Sequence, residues 1–331
     1  MSKIFDYLTE MASIVSPSGN EGDMADYLES FCRKAGLPAC RDAIGNLIVR
    51  REGTGKKIML CAHMDTIGMM ATYIEPSGHI RFANIGGLNH REILYAPVVF
   101  KNGTTGVIAR DDATKPADLG LQSLFIDIGA ADKAEAEAHI SVGDTAAYSA
   151  VPFLSGKRVF GPYMDNRIGV AVLMGVMDEL VDCDNDIYFV FSAQEEVGLR
   201  GARTAAYTID PEYAIAVDVT DTGDNPDPKP KMAVKLGGGP AVKIMDRSVI
   251  CHSEVVAALE NCAVSSGIAF QREVLEAGGT DAGAIHVSRE GVKTGAISIP
   301  ERYIHTPSEC VDLGDADGAV RLLKAFLENG I

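Results

Sequence analysis

Two adjacent carboxylates, Glu195 and Glu196, follow an apolar run, 187–191, that has the composition of a buried β-strand. A second apolar run, 213–217, ends on another acid, Asp218. Carboxylates placed where buried strands stop mark the edge at which open α/β sheets bind their ligands. One side chain of the adjacent pair could hold a metal ion while the other handles a proton, and this is the first functional hypothesis.

A histidine and an acid two residues apart, His63 and Asp65, follow another predicted strand, 57–61. If the strand geometry persists, both side chains point to the same face. The acid can then orient the imidazole by accepting a ring N–H. Asp165 stands at a predicted helix start, where an N-cap is the simplest interpretation.

Five positions at strand ends or in loops thus carry potential metal ligands: His63, Asp165, Glu196, Asp218 and His305. Two imidazoles and three carboxylates suit a pair of borderline divalent ions such as Zn²⁺, Co²⁺ or Mn²⁺. Calcium or magnesium alone rarely recruits imidazole. One bridging carboxylate would leave each ion with one histidine and one further acid, but sequence spacing does not decide this distribution.

The surrounding pattern predicts an α/β domain with a mixed sheet between helices. Apolar spacing predicts helices over 4–15, 23–35, 165–180, 253–266 and 313–329, and strands over 44–49, 57–61, 187–191, 213–217, 232–236 and 294–299. The Gly-containing turn at 52–55 suits a hairpin between the first two strands. We therefore predict an α/β/α domain with a mixed sheet.

Residues 67–155 differ in texture from the rest, because short β-like runs alternate with Gly, Asn and Asp turns and only one helix, 131–139, is predicted. This spacing predicts a small β-rich domain, a barrel or sandwich, inserted into the α/β chain. The predicted division is 1–66 and 156–331 for the catalytic domain, with 67–155 as the insertion.

Composition excludes some partners. The chain of 331 residues has a net charge of −16, which argues against nucleic acid and anionic lipid. No apolar run approaches a membrane span, and the start of the chain lacks the apolar core of a secretory signal. The seven cysteines include no CxxC pair, so reduced thiols in a cytoplasmic protein are expected.

Six motifs in register carry a resemblance that covers essentially the whole chain: AHMD (62–65), MDNR (164–167), QEEVG (194–198), VDV (217–219), GGTDAG (278–283) and RYIHTP (302–307). Together they resemble the M42 family of metallo-aminopeptidases, which includes the glutamyl, deblocking and tetrahedral enzymes. The resemblance implies an α/β/α domain of the dinuclear-metal exopeptidase type, with two metal ions per subunit, most simply zinc or cobalt. It also implies a barrel-like or PDZ-like insertion used for oligomerisation.

The resemblance also implies a role for each matching residue. His63 and Asp218 would be the terminal ligands of one ion, and Glu196 and His305 those of the other. Asp165, followed by a cis peptide to Asn166, would be the carboxylate that bridges the two ions. Glu195 would act as general base, with Asp65 as the partner of His63.

The expected substrates are short peptides with a free N-terminus, and the expected assembly is a homo-oligomer, either a dimer or a tetrahedral dodecamer. Asp281 in the GGTDAG motif is a candidate substrate contact. Glu301, next to Arg302 and close to the site, departs from the family pattern, and we expect both residues to shape the pocket for the first residue.

Three other functions compete with this interpretation. A glycoside hydrolase could use Glu195 or Glu196 with a second acid, although the chain has no Trp for a sugar platform. A carboxypeptidase or deacylase of the wider dinuclear superfamily is the closer rival. A binding module that retains only the fold would be expected to have lost ligands, and all five candidates are present.

Overall fold

The computed structural model describes residues 2–179, 183–228 and 231–329. The helices are α1 Lys3–Met11, α2 Gly22–Lys34, α3 Lys133–Glu137, α4 Met164–Glu179, α5 Arg200–Ile209, α6 Ser253–Ser265, α7 Ala282–Ile285 and α8 Leu313–Asn329. The strands are β1 Ala39–Arg41, β2 Leu47–Arg51, β3 Lys57–His63, β4 Gly68–Ile74, β5 Ile80–Ile85, β6 Pro97–Phe100, β7 Thr105–Arg110, β8 Leu124–Asp127, β9 Thr145–Tyr148, β10 Phe153–Ser155, β11 Arg158–Gly161, β12 Asp186–Ser192, β13 Tyr213–Thr220, β14 Ala241–Met245, β15 Gln271–Val274, β16 Lys293–Arg302 and β17 Glu309–Asp312.

The larger sheet is mixed, and its centre is parallel. Its strand order is β1-β2-β12-β3-β13-β16-β17-β11-β10, with β14 and β15 attached beside β16. Strands β12, β3, β13 and β16 are parallel, whereas β2 runs antiparallel to β12. Every residue of β13 is buried, as expected for a central strand covered on both faces.

Helices cover both faces of this sheet. On one face, α4 packs against β13 and β3 and also against α1 and α8, and these elements share the largest hydrophobic core. On the other face, small residues of α5 and α7, among them Ala205 and Ala284, pack on Cys61 and Val190. The predicted α/β fold with helices on both faces of a mixed sheet is therefore confirmed.

The inserted segment folds as a second β-structure. Strands β4-β5-β8-β7-β6-β9 form a closed barrel with a hydrophobic core of its own. Strand β10 lies within the predicted insertion 67–155 but pairs with β11 in the large sheet. The division of the chain into a catalytic and an oligomerisation domain stays a prediction.

Two local predictions were wrong. The turn at 52–55 does not close a hairpin, because β12 lies between β2 and β3 and pairs with both. Residues 232–236 form no strand, and the strand of this region is β14. Lys243 interrupts the apolar pattern of β14, and its charge is neutralised by two buried acids, Asp246 just after the strand and Glu273 in β15.

Two further observations bear on the sequence-based expectations. All seven cysteines are free thiols. No helix of the described residues is long and apolar enough to cross a membrane. The predicted end of α4, Leu180, lies outside the described residues.

Candidate metal centre

Three parallel strands bring their carboxyl ends to one edge of the sheet. His63 is the last residue of β3 and is paired in register with Ser192, the last residue of β12. Asp218 lies near the end of β13. Glu195 and Glu196 follow β12 directly, so the sheet brings all four predicted site residues together.

Asp165 reaches the same place from the start of α4, where its backbone is not helical. Asn166 ties this segment to β13, because its Nδ2 donates to the carbonyl oxygen of Val217 at 2.8 Å. The peptide bond between Asp165 and Asn166 is cis, as the resemblance implied. Instead of capping the helix, the Asp165 carboxylate lies between the rings of His63 and His305.

The five predicted ligands form two groups that share Asp165. In the first, His63 Nε2 lies 3.0 Å from Asp165 Oδ1 and 3.6 Å from Asp218 Oδ1. In the second, His305 Nε2 lies 3.2 Å from Asp165 Oδ2 and 3.3 Å from Glu196 Oε1. Within each group, the potential ligand atoms all lie within 4.8 Å of one another.

A buried carboxylate, Asp65, holds the loop that carries the adjacent glutamates. Its Oδ1 accepts the backbone N–H of Glu195 at 3.0 Å, and its Oδ2 accepts that of Glu196 at 3.2 Å. Ser18 Oγ donates to Oδ2 at 2.6 Å. Two main-chain bonds to one charged acceptor fix the direction in which both glutamate side chains leave the loop.

The contact between Asp65 and His63 differs from the one expected. His63 Nδ1 donates to the backbone carbonyl oxygen of Asp65 at 3.1 Å, whereas the nearer carboxylate oxygen is 3.6 Å away. A carbonyl oxygen can only accept, so this contact places a proton on Nδ1 and turns Nε2 toward Asp165 and Asp218.

Glu309 is a positioning residue that the sequence analysis missed. Its Oε2 accepts the backbone N–H of Asp165 at 3.2 Å, and its Oε1 accepts that of His305 at 2.9 Å. One carboxylate thus anchors the main chain of two ligands. The only signal in the sequence is an acid four residues after His305.

Glu21 is a second missed anchor. Its Oε1 accepts the backbone N–H of Gln194 at 3.1 Å and that of Gly19 at 2.8 Å. Gln194 has a positive φ of 57°, an uncommon conformation for a residue with a side chain, just before the two glutamates. The turn-rich stretch 16–21 therefore supports the loop that carries Glu195 and Glu196.

The site holds more negative charge than its own histidines neutralise. Burial opposes charge on His305, but Asp165 and Glu196 outweigh it and raise the pKa of His305 to about 12. His63 is affected in the same way, and its pKa also lies well above the ordinary value. Burial, together with Asp218, raises the pKa of Glu195 well above its usual range.

These observations fit a site for divalent cations. Glu196 Oε1 is buried and makes no hydrogen bond of acceptable geometry, although His305 Nε2 is 3.3 Å away. Acids and imidazoles converge here, and buried carboxylates are stable when they are paired or coordinate a metal. Nitrogen and oxygen donors in this ratio suit zinc, cobalt or manganese.

A cavity of about 400 Å³ opens over the ligands. Beyond the ligands and Glu195, its wall includes apolar side chains and the glycine-rich segment after β15, namely Leu199, Val219, Leu275, Ala277, Gly278, Gly279, Thr280 and Ile304. Lys243 and Asp221 also line it. Lys243 is buried, in contact with Glu273 and 3.3 Å from Asp246 Oδ2.

The three predicted substrate contacts lie outside this wall. Asp281 is buried and accepts from the hydroxyl of Ser192, and burial raises its pKa to about 6. Glu301 is fully buried in β16, and neither of its carboxylate oxygens has a hydrogen-bond partner among the described residues. Arg302 forms a bidentate pair with Asp224, with distances of 3.0 and 2.7 Å. Their contact with a substrate stays a prediction.

Comparisons with known proteins identify the family of the chain. The family model described as M42 glutamyl aminopeptidase matches residues 45–322. A provisionally named aminopeptidase of Acetivibrio thermocellus is 46% identical over 97% of each chain. Aminopeptidase APDkam598 of Desulfurococcus kamchatkensis superposes with a TM-score of 0.94 at 38% identity, covering 98% of this chain and 94% of that one.

A third structure is the TET1 peptidase of Pyrococcus horikoshii, which can assemble into a tetrahedron or a large octahedral shell. It superposes with a TM-score of 0.89 at 32% identity over 98% of this chain and 99% of its own. Fold and site together define an α/β peptide hydrolase with side chains at the sheet edge that could bind metal ions. The chain belongs to the M42 peptidase family, and it is an aminopeptidase.

Proposed function

We propose that this aminopeptidase releases N-terminal residues from short peptides at a centre of two divalent ions, with Glu195 as general base. The observation that carries the proposal is the sharing of Asp165. Its two oxygens face two different histidines, and each histidine has a second carboxylate beside it. A single-metal site would not need this duplicated arrangement.

In this proposal the ligands divide as their contacts do. His63 and Asp218 would hold one ion, Glu196 and His305 would hold the other, and Asp165 would bridge them. Zinc or cobalt is the expected metal, with manganese as a third possibility. When bound, such ions lower the pKa of water and polarise the carbonyl group of the scissile bond.

Glu195 stands apart from both ligand groups. Its Oε2 lies 4.0 Å from His63 Nε2, and the side chain lines the cavity. Burial and the neighbouring acids raise its pKa, which suits a carboxylate that must hold a proton during the reaction. Glu195 would accept a proton from the attacking water and deliver it to the nitrogen of the departing amine.

The charge of the cavity favours a free α-amine over a terminal carboxylate. Asp221 and Glu195 are acids on the wall, whereas the ammonium group of Lys243 is already engaged by Glu273 and Asp246. A carboxypeptidase needs an available cation for the substrate's terminal carboxylate. The described residues that line the cavity include no other Lys or Arg.

Assembly into a homo-oligomer is part of the proposal. The barrel exposes the apolar side chains of Tyr73 and Tyr95, at 48% and 63% exposure. A dimer would form through the barrel, and dimers would build a tetrahedral dodecamer, as the P. horikoshii relative can assemble into a tetrahedron. The closed shell would confine hydrolysis to short peptides. Light scattering would distinguish the two. We place the enzyme in the cytoplasm, in agreement with its free cysteines.

The decisive experiment compares one peptide with a free N-terminus and the same peptide acetylated there. The proposal expects cleavage of the first residue from the free peptide alone, loss of activity with a chelator, and recovery with Zn²⁺ or Co²⁺. Equal cleavage of both peptides would favour a carboxypeptidase, and release of acetate from the acetylated peptide alone would favour a deacylase. Activity that survives complete metal removal would contradict the two-ion centre.

A further inference from the structure

The inserted barrel reaches the metal ligands through two consecutive glycines, Gly86 and Gly87, which directly follow β5. Asn84, at the end of that strand, donates from Nδ2 to the carbonyl oxygen of Gly86 at 2.6 Å. This bond fixes the course of the backbone at the point where it passes the ligand cluster.

Gly87 lies against the ring of His305. A Cβ atom on Gly87 would stand 2.8 Å from His305 Nδ1 and 3.1 Å from Cε1, well inside van der Waals contact. The backbone of Gly87 is not in the left-handed region, so its conformation does not itself require glycine. The reason for a glycine here is the close approach to the ring.

Gly86 lies against Glu196, which with His305 forms one half of the ligand cluster. A Cβ on Gly86 would meet Glu196 Oε2 at 3.0 Å and Glu196 Cβ at 3.2 Å. A third barrel residue, Tyr148 at the end of β9, donates from its hydroxyl to the carbonyl oxygen of His305 at 3.4 Å. The barrel therefore contacts both terminal ligands of the Glu196–His305 half.

The histidine of the other half is held differently. His63 donates from Nδ1 to a carbonyl oxygen of its own segment, that of Asp65, and this bond sets the ring orientation. The His305 ring makes both of its carboxylate contacts through Nε2, and its Nδ1 edge faces Gly87. Packing against main chain thus replaces a hydrogen bond as the restraint on this ring.

We propose that Gly87 is a positioning residue for metal binding: the barrel backbone acts as a stop that holds His305 toward Asp165 and Glu196. The inserted barrel then completes the half of the centre formed by Glu196 and His305, in addition to any part in assembly. This inference rests on the proposed two-ion centre. A side chain at position 87 should weaken binding of the ion held by Glu196 and His305 and leave binding of the ion held by His63 and Asp218 unchanged.

The test is Gly87→Ala, which adds one methyl group at an allowed backbone conformation. Gly22→Ala is the matched control, because a Cβ there meets no atom within 4 Å and its φ is not positive. Elemental analysis after dialysis counts the ions per subunit. Titration with Co²⁺, followed by its visible absorption, gives the affinity of each equivalent, and circular dichroism checks the fold.

We expect the control to match the wild type. In Gly87→Ala, the ion held by His63 and Asp218 should bind as before, as the first equivalent. The ion held by Glu196 and His305, the second equivalent, should bind about 10- to 100-fold more weakly, as found when the supports of metal ligands are removed. A general structural role would weaken both equivalents together. Two equivalents of wild-type affinity, or equal losses in both, would overturn the inference.

The proposed function fails separately, because it is tested by the wild type: fewer than two ions per subunit would contradict it before any variant is made. If Gly87→Ala does not fold, Asn84→Ala decides the question. It removes the bond to the Gly86 carbonyl without adding atoms near His305, and it should weaken the second equivalent selectively by several-fold. An unchanged second equivalent in Asn84→Ala would then overturn the inference.

Discussion

The two halves of the ligand cluster are built from different parts of the fold. His63 and Asp218 belong to neighbouring parallel strands, and their side chains are 2% and 7% exposed. Glu196 and His305 lie in loops, and the His305 side chain is 29% exposed. Asp165 is common to both halves.

This difference teaches how each half is kept in place. Strand pairing fixes the backbone of His63 and Asp218 to within the register of the sheet. Glu196 and His305, the loop half, depend on buried carboxylates that accept main-chain N–H groups. Asp65 accepts that of Glu196, and Glu309 accepts that of His305. Precision in the loop half is therefore supplied by side chains and by the barrel, and it should be easier to disturb.

The largest effect is expected where the halves meet. Asp165→Asn leaves a single uncharged acceptor oxygen, which cannot bridge two ions and is a weak ligand for either. Each ion contributes several kcal/mol to catalysis, and at about 1.4 kcal/mol per factor of ten, losing both should cost on the order of 10⁵-fold in kcat/KM. Steady-state kinetics and elemental analysis measure the two losses.

Asp210→Asn serves as the control, because Asp210 is an exposed acid remote from the cluster and Asn tolerates its left-handed conformation. It should retain activity and both ions. An Asp165→Asn variant that still binds two ions per subunit would remove the bridging role and, with it, the comparison between halves.

The adjacent glutamates separate binding from proton transfer. Glu195→Gln should keep both ions and lose about 10²- to 10⁴-fold in kcat, the usual contribution of a general base. Glu196→Gln should lose the ion of the loop half. Each variant is the control for the other, since they differ by one position in the same loop. Two ions retained in both variants would show that Glu196 is not a ligand.

Much of the sheet half, formed by His63 and Asp218, was predictable from the sequence. Apolar runs ending on His63 and Asp218 place both at one edge, because parallel strands share their carboxyl ends. The position of the loop after β12, which carries Glu195 and Glu196, follows from the same pattern. The contact of Asp165 with both rings does not, since its local sequence indicates only an N-cap, and the resemblance supplied its role.

The loop half and its supports were beyond local patterns. Glu309 acts through main-chain N–H groups, so nothing in its neighbourhood marks it as an anchor. Gly87 is needed for a contact with His305, more than two hundred positions later in the chain. The false hairpin at 52–55 has the same origin: the partner of both strands, β12, is remote in sequence.

Glu309→Gln tests the anchor of the loop half. An amide offers one acceptor where the carboxylate offers two, so it can hold the N–H of Asp165 or that of His305 but not both. We expect about 10- to 100-fold weaker binding of the second ion, the one held by Glu196 and His305, which is the cost found for lost supports of metal ligands. Binding of the first ion, held by His63 and Asp218, should be weakened less. Sequential Co²⁺ titration makes this measurement.

Glu290→Gln is the control, because Glu290 is an exposed acid in the loop before β16. Equal weakening of both ions in Glu309→Gln would mean that Glu309 acts mainly on Asp165, and that His305 has no carboxylate anchor of its own.

The last expected effect concerns pH, and for one displaced proton it is of the size expected for Glu309→Gln. Without metal, Asp165 and Glu196 outweigh burial and raise the pKa of His305 to about 12, so the ring carries a proton at neutral pH. An ion bound through Nε2 must displace that proton, and each displaced proton weakens apparent affinity about tenfold per pH unit as the pH falls. Binding should therefore weaken from pH 8 to pH 6. Calorimetry in buffers of different ionisation enthalpy counts the protons released, and affinity that does not change over this range would show that the ring is already neutral before the ion binds.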